Sequence, residues 1–254
     1  MFDLSDKENE VKGIAKQSDK KAGFTIIELM TVMSVIIILI GLLVPALNAI
    51  KRYAREVATR NQFYAIGIGL DLFSAEWGDY PESKGGICGA VQLADHMVGR
   101  DLMGYDPMGT YLDPNSSGRK LYLQVEKANA YRLGDLYPTL APPAADEHVL
   151  CDEYKTVEHK GTGKLVGMPI LYYKANAVGS GDIYDYGDNA ALVDLGIPWV
   201  AGAPPHPFNQ TVFFGQIKND EITTTYRPYR TDSYILLSAG FDGEYGTGDD
   251  IFNF

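Results

Sequence analysis

The stretch KKAGFTIIELMTVMSVIIILIGLLVPAL, Lys20 to Leu47, decides how the rest of the chain is built. From Phe24 to Val44 its only ionisable side chain is Glu28. Twenty-one residues at about 1.5 Å each make a helix of roughly 30 Å, enough to cross a bilayer core. A secretory signal peptide has a shorter apolar region followed by a small-residue cleavage site, whereas this run passes straight into amphipathic helix. Lys12, Lys16, Lys20 and Lys21 precede it, so the positive-inside rule keeps the leader cytoplasmic and sends everything after Val44 across the membrane. One carboxylate so near the polar end of such a run is costly unless something specific uses it.

Beyond Pro45 the apolar residues Leu47, Ile50, Ala54, Val57, Ala65, Ile68 and Leu72 recur at three- and four-residue spacings, with Lys51, Arg52, Arg55, Glu56, Arg60 and Asp71 between them. The spacing predicts one long helix, Phe24 to Trp77, weakened at Gly41 and Pro45 and stopped by Gly78-Asp79-Tyr80-Pro81. From Gly78 to Phe254 short apolar runs alternate with Gly, Pro, Asn and Asp. Leu121–Val125, Ile170–Asn176, Thr211–Ile217 and Ser233–Ala239 are rich in β-branched and aromatic residues and read as strands. The expected architecture is α+β, an antiparallel sheet packed against the outer half of the long helix. Three parts follow: a leader (1–23), the helix (24–77, with 24–44 transmembrane) and an extracytoplasmic head (78–254).

With 46% hydrophobic residues among 254 the chain can bury a real core, and its net charge is -11. The leader is balanced, with five acids and five lysines, so the acidity belongs to the part after Gly23. Such a chain is a poor partner for nucleic acid and a better one for divalent cations. No HExxH, GxSxG, P-loop or dinucleotide fingerprint occurs, and His96, His148, His159 and His206 are scattered, which argues against an enzyme. His148 with Cys151, Asp146 and Glu147 imitates a metal site but reads better as a surface loop. Cys88 and Cys151 form no CxxC pair. Outside the cytoplasm they would be read as a disulfide, contributing on the order of 4 kcal/mol; otherwise they are two buried free thiols.

The ending SAGFDGEYGTGDDIFNF, Ser238 to Phe254, sets three aspartates and a glutamate among four glycines. Glycines let a tight loop turn its carbonyls inward, and Asp oxygens are the hard ligands Ca²⁺ prefers, so Asp242, Asp249 and Asp250 are the candidate ligands. The spacing is wrong for an EF-hand, and an acidic turn without metal is the other reading. GDIYDYGDNA, Gly181 to Ala190, reads as a second acidic loop or a solvated turn.

GFTIIE, Gly23 to Glu28, after a short charged leader and before an apolar run interrupted by Pro45, resembles the amino terminus of type IV prepilins and type II secretion pseudopilins. The resemblance implies that a prepilin peptidase cuts between Gly23 and Phe24 and N-methylates Phe24, and that Pro45 kinks the helix. It implies a structural subunit of the bacterial inner membrane, single-pass, assembled with itself and with minor subunits by a platform protein and an ATPase. Glu28 would pair with a neighbour's terminal amine, neutralising two charges otherwise buried singly, or cap its own helix. Gly78–Ser83, Gly167–Asn176 and the SAGxDGxxGTxDDI ending resemble major pseudopilins, where a calcium ion orders the last loop. That carry-over places Asp242, Asp249 and Asp250 on the ion, with the backbone carbonyls of Tyr245 and Thr247, and Phe241 stands where proline is frequent. The head is larger than a compact major pseudopilin head, and Gly85–Val166 looks inserted. A surface pilin or minor pilin is therefore the alternative, and a membrane-anchored extracytoplasmic binding protein or hydrolase the second.

Overall fold

The computed structural model describes residues 23–109, 118–176, 182–198 and 204–254. Of the leader, residues 1–22 lie outside this set, as does Gly181 of the second acidic stretch. Helix α1 spans Ile26–Trp77 with Pro45 inside it, ending where the sequence predicts. Gly78 closes it: its φ is 85°, a left-handed conformation open to glycine, and its N–H donates to Ser74 O at 2.8 Å.

The chain divides into two compact units, one ending at Asn48 and the other comprising Ala49–Phe254. In the first, every described side chain is exposed, and this part of α1 is long and apolar enough to cross a membrane. In the second, α1 buries Thr59, Gln62, Phe63, Ile66, Gly69, Leu70 and Phe73, a single helical face at three- and four-residue spacing.

The remaining elements, in chain order, are α2 (Gly89–Val98), the one-turn α3 (Val125–Ala128), β1 (Ala130–Arg132), the one-turn α4 (Leu133–Leu136), β2 (His148–Leu150), β3 (Val157–Glu158), β4 (Leu165–Val166), β5 (Leu171–Lys174), α5 (Gly187–Val193), α6 (Gln210–Gln216), β6 (Tyr234–Ser238) and β7 (Ile251–Phe252). The main sheet is antiparallel in the order β5-β6-β7, with Tyr172 opposite Leu236 and Ser238 opposite Ile251; β1-β2 and β3-β4 are small separate two-stranded antiparallel sheets. Alternation sends Tyr172, Tyr234 and Leu236 into a cluster with Phe63, Ile66, Leu70 and Phe73 of α1 and Leu93 and Met97 of α2. Leu171, Tyr173, Ile235 and Leu237 enter a second cluster with Leu192 of α5 and Phe213 of α6. The sheet is thus covered on both faces, which is why its strands read as continuous apolar runs. Asn189, fully buried on α5, ties the layers together by accepting from Ala90 N at 2.9 Å and donating to Tyr172 O at 2.8 Å.

Three expectations change. Thr211–Ile217 is helix, not strand: Asn209 caps it by accepting from Val212 N at 3.1 Å, and Phe213 packs its ring 4.5 Å from Tyr173. Leu121–Val125 is not a strand either, since the Tyr122 and Leu123 amides both donate to Met97 O and the chain turns into α3. Within Gly85–Val166, helix α2 supplies side chains to both core clusters. Cys88 and Cys151 form no disulfide. Both are buried free thiols in one cluster, and burial lifts Cys88 to about 11 and Cys151 well above the usual range, so both stay neutral.

Candidate assembly and cation sites

At the amino-terminal end, Thr25 and Glu28 form a reciprocal cap of the T-x-x-E type. Glu28 Oε2 accepts from Thr25 N at 3.2 Å and from Thr25 Oγ1 at 3.0 Å, while Thr25 Oγ1 accepts from Glu28 N at 3.2 Å. In the single chain, then, Glu28 serves its own helix, satisfying donors that the first turn leaves open. Further along, Thr31 Oγ1 donates to Ile27 O and Ser34 Oγ to Met30 O, so these hydroxyls bond within the helix. Phe24 is 82% exposed and Gly23 is exposed beside it, leaving the Gly23–Phe24 peptide open to approach.

The carboxy-terminal loop follows β6. At Gly240 the φ is 67°, and a Cβ there would lie 2.2 Å from Asp249 O, so only glycine lets the two ends of the loop cross. Asp249 is the clasp: its Oδ2 accepts from Phe241 N at 2.6 Å and Asp242 N at 3.0 Å, and its Oδ1 from Thr247 Oγ1 at 2.6 Å. Asp250 Oδ2 accepts from Gly246 N at 2.8 Å and Gln216 Nε2 at 2.7 Å, while its Oδ1 is buried with no partner among the described residues. Asp242 Oδ1 accepts from Glu244 N at 2.8 Å. Thr247 O accepts from Gln216 Nε2 at 3.1 Å. Tyr245 is held by its buried ring, and its N–H donates to His206 Nδ1 at 3.3 Å; burial lowers His206 to about 4, keeping it the neutral acceptor this bond needs.

The three aspartates respond differently to this setting. Burial raises Asp250 to about 7 in spite of its two donors. Burial, and then the neighbouring Asp249 carboxylate, raises Asp242. Burial also pushes Asp249 upward, but hydrogen bonds from Thr247, Asp242 and Phe241 outweigh it and hold the group below its ordinary value. All three line one cavity of about 670 Å³, with Arg52, Glu56 and Arg60 of α1 on its other side. Among the described residues no three His, Cys, Asp or Glu side chains converge as a closed metal cluster, because each aspartate is turned onto backbone or side-chain donors of its own. The donor set nevertheless fits a hard divalent cation: all oxygen, with two mutually repelling carboxylates and one orphaned oxygen on Asp250. Gln216 was missed by the sequence reading, since it sits at the end of a helix taken for a strand.

Among the described residues the other acidic groupings are taken up by partners of their own. His148 Nδ1 bonds Arg100 O, Glu147 pairs with Arg100 and Asp146 with Arg132. In the second acidic stretch, Asp185 Oδ1 accepts from Gly187 N and Asp188 accepts from Ser83, both at the start of α5.

Residues 18–44 match the prokaryotic N-terminal methylation motif, a type IV prepilin-like signal. No curated protein and no solved structure matches the chain. With its apolar helix, the motif fits a membrane-anchored, single-pass, type IV pilin-like protein processed at its amino terminus.

Proposed function

We propose that the chain is a structural subunit of a type II secretion pseudopilus, cut after Gly23, N-methylated on Phe24, and assembled into a helical filament through α1. The observation that carries this is the methylation motif at the start of α1, whose apolar part up to Asn48 is exposed throughout, with Glu28 the fifth residue after the cut. After the cut Phe24 supplies a positive amine. In a filament of axially displaced helices Glu28 exchanges its cap for that amine on a neighbour, and neither charge is buried alone. A second feature supports helix-to-helix assembly. Within the second unit α1 exposes Ile50, Tyr53, Val57, Tyr64, Ile68 and Leu72, a stripe at helical spacing opposite its buried face. The leader stays cytoplasmic and the head lies outside, periplasmic or extracellular in the filament. The partners are a prepilin peptidase, the inner-membrane platform and ATPase, minor pseudopilins and further copies of the chain. The protein carries out no chemistry of its own.

Calcium belongs to the same reading. Asp242, Asp249 and Asp250 would hold the ion, with backbone oxygens at Tyr245 and Thr247. Bound calcium supplies two positive charges that cancel the repulsion between the carboxylates and order the loop. The acidic ending favours a pseudopilus over a surface pilus. The size of the head favours the alternative of a surface pilin or minor pilin. Mass spectrometry of the native protein tests processing, and imaging cells for long surface filaments separates pilus from pseudopilus.

A further inference from the structure

From Ala49 to Ala58 no side chain of α1 is buried; burial begins at Thr59. Only Arg55, Glu56 and Ala58 are even half-buried there, so this stretch draws little stability from packing and opens more readily than the turns beyond Thr59. Over this stretch the Arg52 guanidinium carbon lies 3.6 Å from the centroid of the Phe241 ring, well within cation–π range. Phe241 is the first large side chain of the carboxy-terminal loop, and its N–H donates to Asp249 Oδ2 at 2.6 Å. The same oxygen accepts from Asp242 N at 3.0 Å, so one carboxylate sets both the turn of the loop and the place of the ring. Helix and loop otherwise face each other across the cavity lined by Arg52, Glu56 and Arg60 on one side and the aspartates on the other.

We infer that Arg52 and Phe241 form a strap, through which order in the carboxy-terminal loop holds the Ala49–Ala58 turns of α1 to the sheet domain. As a ring-on-guanidinium contact the strap stands by itself; as a device controlled by a cation at Asp249 it rests on the calcium reading above. Loss of order in the loop that takes Asp249 away from the Phe241 amide frees the ring, and with it helical turns in which only Arg55, Glu56 and Ala58 are half-buried.

The test is amide hydrogen exchange of the full-length protein in detergent micelles, for wild type, Arg52→Gln, Phe241→Ala, the double variant and Phe241→Tyr, each with calcium chloride or with chelator. Each single removal is expected to speed exchange of the Tyr53–Ala58 amides about fivefold, the scale of one cation–π contact. The double variant is expected to be no faster than either single one, since both remove the same contact. Phe241→Tyr, which keeps a ring, is expected to exchange as wild type does. The Phe63–Phe73 amides, in the turns that pack on the sheet domain, report that the domain is still folded. Wild-type exchange at Tyr53–Ala58 in the single variants, or strictly additive effects in the double, overturns the strap. Chelation that reproduces the Phe241→Ala pattern supports cation control. If the variants act and chelation does nothing, the calcium reading fails and the strap stands; if chelation loosens the loop while the variants do nothing, the strap fails and the calcium reading stands.

Discussion

Replacing Glu28 separates its observed cap from the proposed pair, because the cap needs only an acceptor of the right length while the pair needs a charge. Glutamine at this position keeps the reciprocal bonds with Thr25, now at 3.0 to 3.2 Å, since T-x-x-Q caps as T-x-x-E does. Glu28→Gln is therefore expected to leave the isolated helix start within a few tenths of a kcal/mol of wild type, whereas Glu28→Ala loses about 1 kcal/mol of capping. In a filament the expectation reverses. Both variants are expected to strand the methylated amine of a neighbour in a low-dielectric interface, which costs about 3–5 kcal/mol per contact, or about two to nearly four orders of magnitude in the assembly constant. The assay compares two quantities in the same cells: processed subunit in the membrane fraction by mass spectrometry, and filament yield by electron microscopy. Both variants should be processed and neither should form normal filaments. Normal filaments from Glu28→Gln with defective ones from Glu28→Ala would show that Glu28 acts only as a cap and would refute the pairing argument.

Two further outcomes concern the second unit. Chelation should lower its melting temperature: calcium at a hundred times its dissociation constant contributes about 2.7 kcal/mol, roughly 5–10 °C for a domain of this size, and no shift together with no bound metal would remove the site. Asp152 gives a pH signature. It is buried, accepts from Ser238 Oγ at 2.7 Å, Tyr154 N at 3.0 Å and Met168 N at 3.2 Å, and burial still lifts it to about 7. The folded state therefore keeps a proton that the unfolded chain releases near pH 4. Its contribution is fully present below that value and is lost as pH rises through about 7, at most about 4 kcal/mol. Denaturant unfolding of Asp152→Asn should lack this slope, and parallel pH profiles for the two proteins would count against the burial argument.

The extent of α1 was legible, because an apolar run with a single glutamate near its start, an amphipathic continuation and a Gly-x-x-Pro stop have one physical solution; its buried face was not, since Ile50, Val57, Ile68 and Leu72 are exposed while Phe63, Ile66, Leu70 and Phe73 are buried. β5 and β6 were legible for a similar reason: strands buried on both faces are continuous apolar runs. The same rule misled at Thr211–Ile217, where Thr-Val-Phe-Phe has strand composition but Asn209 caps a helix; a cap two residues before a run of this length was the available signal. Helix α2 has no such cap. Its glycine start is explained only by tertiary structure, since a Cβ on Gly89 would lie 2.2 Å from Tyr172 O. In the carboxy-terminal loop the aspartates and glycines were legible as a group. That Asp249 clasps the Phe241 amide, and that Gln216 arrives from a separate helix, depends on contacts across 8 and 34 residues that no local pattern encodes.

The central claim is that this chain is a processed filament subunit, and its amino terminus tests that most directly. Intact-mass and peptide mass spectrometry of the protein isolated from membranes should find N-methylated Phe24 as the first residue. A native chain beginning at Met1, with the Gly23–Phe24 peptide uncut, would contradict the account.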